Sequence, residues 1–250
     1  MRVLLMRVLL ASIMILVAAM LLRPVLADPP ANPESNGSSL SGSGAPYLER
    51  SNKALAAATS LHLRASMTIT KQPKKAEKQI EHASVEVATA SGKRFRTSIL
   101  RDRNSLVVVG NGQSVYVYEP DTNEYTKEDG YQQEAADAMI QMRLTTVFGP
   151  GSPTWDYLRT ETLDGNKCDV IQTHAGSPTV TIYLDRTTHM PRKTTVSGQG
   201  PGGSATIETT FTEFVLNTDL PASLFEWTPP NGAKLVPPKD PGPYSRFGQG

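Results

Sequence analysis

The hydropathy pattern of this 250-residue chain predicts an α+β fold, mainly antiparallel β, with helices lying over one face of a long sheet. Three observations carry that reading. Leu61, Leu63, Ala65, Met67 and Ile69 alternate with His62, Arg64, Ser66, Thr68 and Thr70, a two-residue period that gives a strand one apolar and one wet face. Asn111-Gly112 stands between two β-rich runs, the strongest short hairpin signal in the chain. Two stretches, Tyr47 to Ser60 and Glu134 to Phe148, instead space their apolar residues at helical intervals.

The elements follow in order. Tyr47 to Ser60, with its alanine run and its Leu48/Leu55 spacing, predicts an amphipathic helix. The strand over 61–70 comes next, and Lys71 to Glu81, charged and holding Pro73, reads as a long hairpin connection. Strands are expected at 82–90, 94–100, 105–109, 114–119 and, after the Pro120-Asp121-Thr122-Asn123 turn, 124–127. In the helix over 134–148, Ala136, Met139, Ile140, Leu144 and Val147 share one face, and Gly149-Pro150-Gly151 ends it. Trp155, Tyr157 and Leu158 read as a short helical turn. Strands resume at 159–164, 167–174, 179–185, 191–197 and 204–216. Consecutive hairpins of this kind make an antiparallel sheet that curls, and the helices are the elements available to cover its concave side.

Both ends differ from the middle. Residues 1–27 read as a removable export signal: Arg2 and Arg7 precede an uncharged run from Val8 to Leu22, and Val25-Leu26-Ala27 fits the small-residue cleavage rule. As a helix that run spans about 22 Å, short of the ~30 Å hydrocarbon core of a bilayer. Residues 28–46 are rich in Pro, Ser and Gly and read as a disordered tether; 234–250 read as a Pro/Gly-rich disordered tail. The folded unit is thus expected at 47–233. The formal charge of +1 includes the three leader arginines, so the exported chain is near neutral and offers no electrostatic footprint for nucleic acid.

Chemistry-bearing motifs are missing from the sequence. It holds no Gly-x-Ser-x-Gly elbow, no His-Glu-x-x-His, no Cys-x-x-Cys and no phosphate-binding Gly-x-x-x-x-Gly-Lys. His62, His82, His174 and His189 lack metal-ligand spacing, and His62 falls on the wet face of the first strand. Asp121, Asn123 and Glu124 make ordinary turn chemistry rather than a calcium loop. Cys168, the single cysteine, reads as a small buried residue. No catalytic residue, metal or cofactor is expected, and the chain is not read as an enzyme.

Three segments resemble a known superfamily. They are Gly112-Gln113-Ser114-Val115-Tyr116-Val117-Tyr118-Glu119-Pro120-Asp121-Thr122-Asn123-Glu124-Tyr125, then Thr181-Ile182-Tyr183-Leu184-Asp185-Arg186-Thr187-Thr188-His189-Met190-Pro191-Arg192-Lys193, and last Leu220-Pro221-Ala222-Ser223-Leu224-Phe225-Glu226-Trp227-Thr228-Pro229-Pro230-Asn231-Gly232-Ala233. With the exported helix-then-strand opening, they resemble the LolA-like periplasmic superfamily, which includes the lipoprotein carrier LolA, LppX-type lipoproteins and the regulator RseB. The resemblance implies a strongly curved half-barrel with helices across the concave face and a cavity for apolar ligands. It implies a non-enzymatic periplasmic binder or carrier of lipid, acyl chains or lipidated protein. The alternative it implies is an RseB-like envelope-stress regulator that binds a membrane-anchored protein partner. LolA proteins use a cavity arginine, a role that the resemblance does not carry over to Arg64, Arg94 or Arg96. The residues expected to line the cavity are Leu61, Leu63, Met67 and Ile69 on the first strand, Phe95 and Ile99 opposite, and Met139, Ile140 and Leu144 on the middle helix.

Overall fold

The structure, a computed structural model, describes residues 42–91, 94–129, 154–173, 179–200 and 203–237. They form an open twelve-stranded sheet and, among the described residues, one α-helix. The helix α1 is Ala45–Ala56. The strands are β1 (Leu61–Pro73), β2 (Gln79–Ala90), β3 (Arg94–Arg101), β4 (Leu106–Asn111), β5 (Ser114–Glu119), β6 (Glu124–Asp129), β7 (Trp155–Leu163), β8 (Asn166–Thr173), β9 (Thr179–Asp185), β10 (Pro191–Gly200), β11 (Gly203–Leu216) and β12 (Lys234–Leu235). Their order across the sheet is β12-β6-β5-β4-β3-β2-β1-β11-β10-β9-β8-β7. Every pairing is antiparallel except the short β12–β6 contact, which is parallel. Sequential hairpins thus build two wings, and the β1–β11 pairing joins them at the centre. This open layout fits a curved sheet.

Each face has its own cover. Cross-strand partners share a face, so the register puts Leu61, Leu63, Ala65, Met67 and Ile69 beside Val87, Val85 and Ala83 of β2 and beside Phe214, Phe211 and Ile207 of β11. Phe211 and Phe214 are three residues apart, which in a regular strand would send them to opposite faces. The register shift at Arg64/Ala65 leaves Thr212 as an extra residue on β11, and its hydroxyl donates to the Arg64 carbonyl at 3.1 Å. The bulge brings both phenylalanines to the apolar face, where their rings meet edge to face at 5.7 Å. On the opposite face of β3 to β6 lies the segment after β11: Phe225 is buried, and Trp227 sits within 5.1–5.7 Å of the rings of Tyr116, Tyr118 and Tyr125.

Several expectations need correction. A cover of several helices is not what the described residues show: α1 alone lies on the apolar face, while the expected helix over 134–148, with Met139, Ile140 and Leu144, falls outside them. The helix expected to reach Ser60 ends at Ala56, because the following residues tie to the end of β11. Thr59 N–H donates to Asn217 Oδ1 at 2.8 Å, and the Ser60 hydroxyl donates to the Thr218 carbonyl at 2.7 Å. Trp155, Tyr157 and Leu158 are strand, not helical turn, since β7 begins at Trp155 and pairs with β8. The 71–81 connection is shorter than expected: β1 runs to Pro73 and β2 begins at Gln79, and Lys71 and Glu81 meet at 2.5 Å across the hairpin, which leaves the charges of 74–78 in the connection.

Both edges of the sheet are dressed by segments that the sequence placed in the tether and the tail. Gly44 N–H donates to the Trp155 carbonyl at 2.8 Å, and Tyr157 N–H donates to Ser43 Oγ at 2.9 Å, so residues 43–44 lie along the outer edge of β7. Gly42 has φ of +94°, and a Cβ there would come within 2.2 Å of the Trp155 carbonyl oxygen, so this approach needs glycine. At the other edge Lys234 N–H donates to the Asn123 carbonyl at 3.0 Å and Val236 N–H to the Tyr125 carbonyl at 2.9 Å. Covering edges in this way removes a template for edge-to-edge pairing.

Candidate functional site beneath the helix

The apolar face of the central strands is the candidate site, and α1 is its described cover. Pro46 fixes φ at the start of α1, which suits the first turn of a helix. The helix then crosses the face. Tyr47 stacks on Tyr157 of β7, with ring centroids 5.0 Å apart. Leu48 packs against the cluster of Met67, Ile69, Ala83, Ile99, Trp155, Ile171, Val180, Ile182, Leu184, Val196 and Ile207. Leu55, fully buried, packs with Leu61, Leu63, Ala65, Val87, Met190 and Phe211. Tyr47 to Leu55 rises about 12 Å, yet the two side chains touch opposite ends of a span from β7 to β1 that crosses five strand spacings, about 24 Å if flat. A sheet that curls toward the helix shortens that chord.

The expected lining residues divide between these two clusters. Met67, Ile69 and Ile99 belong to the cluster under Tyr47 and Leu48, and Leu61 and Leu63 to the one under Leu55; all five are buried. Phe95 is half-buried, in the β2–β3 register opposite Thr89, and its ring lies where a Cβ on Gly110 would be, at 2.2 Å. Met139, Ile140 and Leu144 lie outside the described residues. Arg64 and Arg96 lie on the opposite face, where Glu86 draws both. Arg94 is there too, its guanidinium 5.2 Å from the centre of the Phe225 ring.

Sequence reasoning missed three neutral polar groups on the apolar face, where Arg101, beside Ala83 in the register, also keeps a buried Nε unpartnered among the described residues. Trp155 is fully buried, and its Nε1–H has no hydrogen-bond partner among the described residues. Thr194, beside Ile182 and Thr209 in the register, and Thr89, beside Leu61 and Phe95, are buried with hydroxyls equally unpartnered among the described residues. Threonine fits the β pattern whether its hydroxyl is wet or dry, and the sequence around Trp155 suggests a helical turn, so the alternation gives no signal for any of these three.

The wet face holds a charged cluster that the sequence read as surface. His62 does point to that face, but it is only 8% exposed. Its Nε2 lies 3.0 Å from Glu86 Oε1 and its Nδ1 3.3 Å from Glu213 Oε1. Arg64 bridges the same two carboxylates at 3.1 and 3.4 Å. Burial pushes the Glu86 carboxyl up, but hydrogen bonds from His62 and Arg64 outweigh it and hold the group below its ordinary range. The cluster cross-links β1, β2 and β11 through side chains. Cys168 is fully buried, with its thiol pushed up chiefly by that burial, which leaves little reactive thiolate. Among the described residues no three His, Cys, Asp or Glu side chains gather as metal ligands.

A family model matches residues 45–237, the stretch from the start of α1 to just past β12. The chain belongs to the DUF2092 family, described as predicted periplasmic proteins. This DUF2092 member is 26% identical over 148 residues to an uncharacterized protein of Methanocaldococcus jannaschii, a match covering 54% of the chain but only 39% of that relative's length. Similar solved structures include an uncharacterized conserved protein from Thermus thermophilus (14% identity, 76% of this chain and 96% of that one, TM-score 0.44). They also include the MucA/MucB complex of Pseudomonas aeruginosa (12%, 73% and 60%, TM-score 0.40). A LolA superfamily protein from Nitrosomonas europaea is a looser likeness still (10%, 66% and 90%, TM-score 0.25). The periplasmic placement expected from the sequence accords with the description of this family. No described helix is long and apolar enough to cross a membrane.

Proposed function

We propose that this DUF2092 protein is a non-enzymatic periplasmic binder or carrier of lipid, acyl chains or lipidated protein, held between α1 and the apolar face of the sheet. The observation that carries the reading is the apolar face itself: its larger cluster runs from β3 across the sheet to β7, and α1 touches it through few side chains. Displacing Leu48 and Leu55 from it costs about 3–6 kcal/mol, whereas each acyl CH₂ sheltered from water returns about 0.8 kcal/mol. A chain of eight or so carbons therefore offsets the opening of the helix, and a longer one binds with a surplus. Release then needs a partner or a closing helix that reverses the exchange.

The test is native mass spectrometry with organic extraction on the full chain, exported to and purified from a bacterial periplasm. The expected result is a co-purifying acyl lipid or lipopeptide near one per chain. An apo mass, together with no binding of an added fluorescent fatty acid, overturns the carrier reading and points to a regulator that binds a protein partner.

A further inference from the structure

We propose that the site selects acyl groups that keep a neutral carbonyl, an ester or an amide, with Trp155 Nε1–H and the Thr194 hydroxyl as its hydrogen-bond donors. The assignment rests on the carrier reading and deepens it. A face built only to hold a hydrocarbon has no use for buried polar atoms, because an unpaired donor in an apolar setting loses its water without recompense. Yet Trp155 and Thr194 both lie on this face, buried, with Nε1 and Oγ1 unpartnered among the described residues. They share its apolar stretch: Trp155 belongs to the large cluster, and Thr194 is flanked in the register by Ile182 of the same cluster.

The chemistry of the donors limits the acceptor. Both are neutral; in the register Arg64 and Arg96 fall on the other face of the sheet, and Arg101, on this face beside Ala83, belongs to β3, four strands from Thr194 and farther from Trp155. A carboxylate or phosphate drawn into this cluster would be a buried charge held by neutral donors alone, which is costly. A neutral carbonyl accepts a hydrogen bond from either donor with no such cost. Trp155 also stands where the Gly42–Gly44 segment crosses the edge of β7, and α1 begins directly after that crossing. A carbonyl held by Trp155 would therefore rest near the helix start, with its chain running beneath α1 toward Leu55.

The test uses three probes of matched length: methyl hexadecanoate, N-methylhexadecanamide and heptadecane. The chain has two tryptophans, so ¹⁵N-labelled protein gives two indole N–H signals, and Trp155→Phe assigns them. The ester and the amide should shift the Trp155 signal, and the hydrocarbon should leave it in place. Trp155→Phe and Thr194→Val should each weaken ester binding roughly fivefold, the worth of one neutral hydrogen bond, while heptadecane affinity holds. Where Trp155→Phe fails to fold, Thr194→Val and the wild-type spectra decide. Equal losses for ester and hydrocarbon overturn the assignment by making both residues packing groups. A persistent cross-peak from the indole proton to water in the ester-loaded protein overturns it too, since the donor then serves a buried water. A larger response to the amide than to the ester supports the proposal and points to N-acylated ligands; the reverse points to lipid esters. Binding of heptadecane without preference for either carbonyl defeats this inference alone, whereas no binding by any probe defeats the carrier reading beneath it.

Discussion

Asp185 shows how much structure a single carboxylate organises here. It ends β9, and its Oδ1 accepts from the backbone N–H groups of Thr187 and Thr188 at 2.8 and 2.9 Å, while Oδ2 accepts from Arg192 Nε at 2.9 Å. The turn it builds places His189 at φ +60° and returns the chain as β10. Burial raises the Asp185 carboxyl, but the two backbone donors and Arg192 outweigh burial and hold it below its ordinary range. A carboxylate with a lowered folded-state pKa stabilises the fold above its unfolded value near 4 and loses that contribution as pH falls through the folded one. Denaturation followed from pH 6 down to pH 2 should therefore show stability declining below about pH 4, with Glu86 contributing in the same direction. Asp185→Asn should cost about 2 kcal/mol at neutral pH by leaving Arg192 without its charge partner, and it should make the acid decline shallower. An unchanged acid limb in that variant would assign the decline to other carboxylates.

Among the elements, the segment after β11 has the least regular structure and a large share of the aromatic packing. Trp227 lies among three tyrosines, Phe225 beneath Arg94, and β12 on the edge of β6. Trp227→Ala should cost about 3 kcal/mol and speed amide exchange at Val236, whose N–H bonds the Tyr125 carbonyl. Exchange in β1 and β11 should hold, since those strands pair with each other at the centre of the sheet. Equal acceleration at both places would mean that the strap and the central strands unfold together.

For the whole molecule, α1 joins stability and binding. Leu55→Ala removes a fully buried anchor of the helix and should lower stability by about 3 kcal/mol. If ligand and helix compete for the apolar face, the same change lowers the cost of opening, so acyl-probe association should be faster in Leu55→Ala than in the wild type. Stopped-flow mixing reads that rate directly; a slower association would show that α1 completes the site rather than occludes it. A probe at a hundred times its Kd should raise the stability of either form by about 2.7 kcal/mol.

The sequence by itself determined the period, and the period determined most of the sheet: β5 and β9 match the expected 114–119 and 179–185, and the apolar face of β1 is the one buried. Local rules suffice there because alternation and turn chemistry are properties of neighbouring residues. The tertiary structure alone decided which distant segments meet. Residues 43–44 look like tether until the edge of β7 supplies a carbonyl and an amide for them, and 234–236 look like tail until β6 does the same. The bulge at Thr212 and the strand at Trp155–Leu158 likewise depend on partners far along the chain. The same holds for the candidate site. Its apolar residues were legible from alternation, but the status of Trp155, Thr194 and His62 was not, because a polar atom is satisfied or left unpaired only by what the fold brings to it.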